Sequence, residues 1–109
     1  MSRAKHTTPQ NITGRRIRAL REGLGWSQER LGVAIGIDES SARARISRYE
    51  LGVHEPPLPT LRLISNELGV PFAYLFCEDD HIAELLFRLA QLKPDDMKRR
   101  IERILKEIC

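Results

Sequence analysis

The residues best placed to do chemistry in this chain run from Ser40 to Arg48. Ser40, Arg43, Ala44, Ser47 and Arg48 recur at intervals of three and four, which gathers side chains on one stripe of an α-helix. Ala42, Ile46 and Tyr49 fall on the other side and are expected to be buried. A stripe of this composition suits the reading of base edges in duplex DNA. The guanidinium fork matches O6 and N7 of guanine, a serine hydroxyl pairs with several edges, and an alanine methyl meets that of thymine. The bland alternative is a solvated charged face.

Catalysis has little to work with. No nucleophile elbow, HExxH, Walker loop or GxGxxG is present. His6, His54 and His81 are scattered, and Cys77 and Cys109 lack a CxxC spacing. We therefore expect no metal, no cofactor and no enzymatic activity, with both thiols free in a reducing cytoplasm. No apolar run approaches the ~20 residues of a membrane span. Nor does an apolar stretch follow the basic residues 1–6, so a cytoplasmic protein without membrane contact is expected.

Charge points the same way as the stripe. Residues 1–62 hold 11 Lys and Arg against 6 Asp and Glu, a net of +5, while residues 63–109 hold 7 against 9, a net of −2. A basic front half favours a polyanionic partner.

The elements that must position these residues are all helical, for no period-2 alternation or hairpin turn occurs. The spacing predicts a first helix over 12–24, with Ile12, Arg16, Ile17, Leu20 and Leu24 near one face. Ser27 caps a second over 28–35, which buries Leu31, Ala34 and Ile35 and stops at Gly36. Residues 37–40 form a turn, and a third helix spans 41–51. The prolines at 56, 57 and 59 interrupt the chain before a fourth helix over 59–68 that buries Leu61, Ile64 and Leu68. Pro71 opens a short fifth helix over 72–76. Two amphipathic helices follow, beginning at Asp79-Asp80 and at Pro94-Asp95-Asp96.

Several motifs in order then resemble one family. Residues Ile17-Arg18-Ala19-Leu20-Arg21-Glu22-Gly23-Leu24-Gly25-Trp26-Ser27-Gln28-Glu29-Arg30-Leu31-Gly32 resemble the opening of a Cro/cI-type (lambda-repressor-like, XRE) helix-turn-helix DNA-binding domain. Ile46-Ser47-Arg48-Tyr49-Glu50-Leu51-Gly52, Pro59-Thr60-Leu61-Arg62-Leu63-Ile64 and Glu67-Leu68-Gly69-Val70-Pro71 continue the pattern, which covers residues 12–77. The resemblance implies a five-helix domain that binds double-stranded DNA and regulates transcription, as a repressor, with the helix over 41–51 in the major groove. It also implies a phosphate contact from Gln28, and a structural salt bridge between Arg21 and Glu50. Arg15, Arg16, His54 and Arg62 are further phosphate candidates. Trp26 and Leu31 are expected in the core.

One departure matters. Between Gly36 and Ile46 the chain carries about one helical turn more than the family pattern, ~4 residues. Either the inter-helix turn is longer or the third helix starts a turn early. If the stripe is rotated as a result, Ser41 and Arg45 join the base-reading set.

Outside the domain lie a basic arm over 1–11, carrying Arg3, Lys5 and His6, and a tail over 78–109. The tail's apolar residues would form a large patch if left in water. We expect Leu85, Leu86, Leu89, Met97, Ile101, Ile104 and Ile108 to build a homodimer interface, so that two copies read a pseudo-palindromic operator. Two rivals are an antitoxin-type module whose tail binds a partner protein, and a tail folded back on its own domain.

Overall fold

In the computed structural model, which describes residues 11–109, the chain is a string of helices. These are α1 (Ile12–Gly23), α2 (Gln28–Ala34), α3 (Glu39–Leu51), α4 (Leu58–Leu68), a 3-10 helix (Phe72–Phe76), α5 (Asp80–Ala90) and α6 (Pro94–Ile108). No strand occurs among the described residues. The arm residues 1–10, with Arg3, Lys5 and His6, lie outside the described part.

Apart from α1, whose N-cap Asn11 makes no side-chain capping bond, each helix starts where the chain supplies an acceptor or a proline. Ser27 Oγ accepts the Arg30 N–H at 3.0 Å, and Asp79 accepts those of His81 and Ile82 at 2.8 and 3.1 Å. Pro59 and Pro94 sit in the first turns of α4 and α6, where no amide donor is missed. The core of the first five elements closes around Ile17, Leu31, Ile46, Ile64 and Leu75, all fully buried.

Four details of the sequence reading are corrected. Leu24 is exposed, because α1 ends at Gly23 and the next residue turns out of the helical stripe. Ala34 is also exposed, since α2 ends there and only Leu31 and Gly32 of that helix are buried. The third helix starts at Glu39, two residues early, because Asp38 takes the capping position. The expected fifth helix is a single 3-10 segment.

The tail stands partly apart. Ala83 of α5 is buried against the core, Leu86 packs beside it, and Phe87 lies 6.5 Å from the Tyr74 ring. No residue of α6 is buried. The radius of gyration, 15.3 Å, exceeds the ~13 Å of a compact chain of this length.

Candidate nucleic-acid interface

Two glycines hold α3 in place. A methyl added at Gly32 of α2 would lie 2.5 Å from Ala42 Cβ, and one at Gly14 of α1 would lie 2.5 Å from the Glu50 carbonyl oxygen. Only the missing side chains let the three helices approach so closely. The helix then ends at Gly52, whose φ of 77° is the left-handed cap that an L side chain resists. At its start, the Asp38 carboxylate accepts the Ser40 N–H at 3.1 Å and the Ser40 hydroxyl. Those bonds, the hydroxyl's first, hold the Asp38 carboxyl below its usual range. The chain after Gly36 thus enters α3 two residues sooner than expected, and Ser40's hydroxyl is committed to the cap.

Beneath the α2–α3 pair lies a buried polar network. Arg21 donates from Nε and Nη2 to the two Glu50 oxygens at 2.6 and 3.1 Å, and from Nη1 to the Trp26 carbonyl at 2.7 Å. Both side chains are nearly dry, Glu50 at 2% exposure and Arg21 at 10%. The bond to Glu50 raises the Arg21 pKa further, against the opposing effect of burial. Gln28 Nε2 also donates to Glu50, at 3.0 Å. A carboxylate only accepts, so this bond fixes which end of the amide faces inward. One N–H of Nε2 is used. The second Nε2 N–H has no partner among the described residues.

On the outer side of α3, Arg43, Ala44 and Arg48 are exposed and Ser47 is half-buried. Among the described residues, Arg43, Arg45 and Arg48 have no carboxylate within ion-pair distance. Arg18, Arg88 and Arg99, exposed arginines on other helices, pair within their own helix. Ser41 and Arg45 sit on the flank, where they line a cleft of about 300 Å³ with Ile37, Asp38, Thr60 and Leu63. The stripe is thus 43, 44, 47 and 48, with 41 and 45 beside it.

The phosphate candidates separate. His54 is exposed in the loop after α3. Arg62 stacks over Phe72, its guanidinium carbon 4.1 Å from the ring centroid. Arg15 is half-buried, 3.6 Å from the Asp80 carboxylate. Arg16 must be removed from the set. It is 7% exposed and donates to the Cys77 carbonyl at 3.0 and 2.7 Å and to Asp80 at 2.9 Å. Those partners are 61 and 64 residues away, and no helical pattern reveals them. The sequence reading overlooked Arg30. It is exposed beside the mouth of α2 and stacked 4.3 Å over half-buried Trp26. Its spacing of four from Trp26 was the available signal.

The sequence and the fold are similar to those of known proteins. The HTH_3 family model, described as Helix-turn-helix, matches residues 17–75. The SPbeta prophage-derived uncharacterized HTH-type transcriptional regulator YonR of Bacillus subtilis (strain 168) is 39% identical over 62 residues, 57% of this chain and 54% of its own. An uncharacterized HTH-type transcriptional regulator of Sinorhizobium medicae (strain WSM419) is 40% identical over 73 residues, 66% of this chain and 50% of its own. The chain thus spans about half the length of these curated relatives. The crystal structure of transcriptional regulator BswR superposes with a TM-score of 0.78 at 38% identity, over 86% of this chain and 92% of that one. The hypothetical transcription factor NHTF from Neisseria shares the fold at a TM-score of 0.61 and 22% identity, over 78% of this chain and 97% of its own.

Proposed function

The chain belongs to the Cro/cI-type (XRE) helix-turn-helix family of transcriptional regulators, and from that membership we propose that it binds specific duplex DNA as a dimer and represses transcription. The observation that carries this reading is the unpaired arginine stripe of α3. Arg43 and Arg48 are exposed, free of carboxylates and flanked by Ala44 and Ser47. Leaving three arginines of one helix unpaired has no stabilising role in the fold, whereas a guanine edge in the major groove satisfies such a fork. Gln28, the open end of α2, His54 and Arg30 then meet phosphate. Such contacts set register and make affinity fall with salt.

The dimer reading rests on the tail. Leu85 and Ile101 are exposed, and Ile108 is 76% exposed, while Leu86, Leu89, Met97 and Ile104 are half-buried. Between α5 and α6 runs a groove of about 700 Å³ lined by Leu85, Leu89, Leu92 and Ile104. A second copy offers the matching apolar stripe, and twofold pairing places two reading helices ~34 Å apart on one face of the duplex.

Selection of bound duplexes from a random pool tests both parts. An inverted repeat is expected, with sedimentation giving a dimer that Ile101→Glu dissociates. Recovery of no preferred sequence refutes base reading. A monomer at micromolar concentration refutes the dimer, and a copurifying protein on the tail favours the antitoxin reading.

A further inference from the structure

The first turns of α1 touch both working parts of the molecule. Gly14 lies against the carbonyls of Tyr49 and Glu50, at the end of α3. Two residues on, Arg16 reaches the opposite way to the point where the tail begins. Its guanidinium is shared between the Cys77 carbonyl, at the end of the 3-10 helix, and Asp80, the first residue of α5. Tyr74 closes the site from one side, 5.7 Å away ring to guanidinium, and Arg15 adds a second cation 3.6 Å from Asp80. Asp79, between the two tied residues, caps α5 with two backbone bonds. The linker from Cys77 to Asp80 therefore has both ends fixed, and one buried arginine fixes them.

We infer that the Arg16–Asp80 tie sets the angle of the α5–α6 hairpin against the DNA-reading body, and so determines which half-site spacing the protein accepts. The inference rests on the proposed dimer. Beyond the tie, α5 is held to the body through one side only, by Ala83, Leu86 and Phe87. Packing of this kind resists separation more than it resists tilting. The lever is long enough to matter. The 11 residues of α5 span about 16 Å, so a tilt of about 12° moves the far end by ~3.4 Å, one base-pair step. Asp80 and Arg16 thus act as positioning residues for specificity while touching no DNA.

The test uses the full chain and duplexes that carry two inverted copies of the selected half-site, their centres moved apart one base pair at a time. Asp80→Asn weakens the tie, and Asp80→Lys sets a third cation beside Arg15 and Arg16. The Asp80 side chain is 75% exposed, so both variants are expected to fold, which circular dichroism checks. The parent is expected to favour one spacing by about tenfold or more over its neighbours. In Asp80→Lys that ratio falls to about threefold or less, or the optimum moves by a base pair, with Asp80→Asn intermediate. Affinity for a single half-site and the dimer's dissociation constant, from sedimentation, stay within about twofold of the parent. Folded variants that keep the parental spacing profile overturn the inference and leave the dimer reading standing. Equal losses on single and paired sites also overturn it, since they show a general effect of charge. A parent with no spacing preference overturns the dimer reading and this inference with it.

Discussion

Replacing Gly32 with alanine should destabilise the protein, although the same change in an open helix does the opposite. Alanine is favoured over glycine by ~1 kcal/mol inside a helix, and Gly32 lies within α2, outside the positive-φ positions. The neighbourhood reverses the sign. The new methyl would meet Ala42 Cβ at 2.5 Å, Ala42 Cα at 2.9 Å and its carbonyl oxygen at 3.1 Å. Ordinary carbon contacts sit near 3.5–4.0 Å, so α3 has to withdraw by about 1 Å. Ala42 has no flexible end to yield, and Leu31 and Ile46 beside it are fully buried. Overpacking of this kind costs about 1–3 kcal/mol, and a rigid partner favours the upper half of that range. Less the helix-propensity gain, the net loss is about 1–2 kcal/mol. Urea unfolding followed by the fluorescence of Trp26, the chain's single tryptophan, should show a lower midpoint at unchanged slope. On an Ala42→Gly background, the Gly32→Ala change should become milder by about 1 kcal/mol, because the methyl–methyl contact is gone. A midpoint that rises in the single variant would refute the close approach of α2 and α3.

Other expectations follow from the same geometry. Arg48→Ala and Arg43→Ala should each lose ~1–3 kcal/mol on the selected site and relax base preference, whereas Gln28→Ala should weaken all duplexes alike; fluorescence anisotropy on specific and random duplexes separates the two. Arg21→Ala leaves the Glu50 carboxylate buried beside Gln28 alone and should cost ~3–5 kcal/mol by urea unfolding, far more than joint replacement of both residues by apolar ones. Asp38 and Asp79, held low by their capping bonds, stay ionised in the fold below the ordinary carboxylate value of about 3.9. Their contribution is therefore complete above that value and drains away as pH falls through the folded pKa values. NMR titration of the two carboxyl groups should place both midpoints below the ordinary one.

How much was legible in the sequence depended on the range of the interaction concerned. The outward stripe of α3 follows from local periodicity alone, so Arg43, Ala44, Ser47 and Arg48 could be grouped before any contact was known. The start of that helix could not be fixed, because Asp38, Ser40 and Ser41 are all competent caps. The choice fell to Asp38, whose carboxylate engages Ser40 by both backbone and hydroxyl. Arg16 was misread for a different reason. On a helical wheel it is one more arginine near an apolar face, and its partners lie at the far end of the domain. Gln28's bond to Glu50 crosses 22 residues and was equally invisible, although the residue itself was singled out. Small residues such as Gly32 give no pattern at all until the helices are laid together.

The way α3 is held has a consequence for how such a protein can change its target. Among the described residues, this helix is buried against the rest of the chain through Ala42, Ile46, Tyr49 and Glu50, and its ends are set by Asp38 and Gly52. The side chains at 43, 44 and 48 take no part in those contacts. Exchanging them removes no buried area and strands no polar partner, so it should cost stability within about ±0.5 kcal/mol per site. Under the proposed base reading, the address can therefore drift while the frame that presents it stays intact. One scaffold can pass through many operator preferences, each variant folding as well as the last, and a library randomised at those three positions should yield mostly folded proteins with divergent targets.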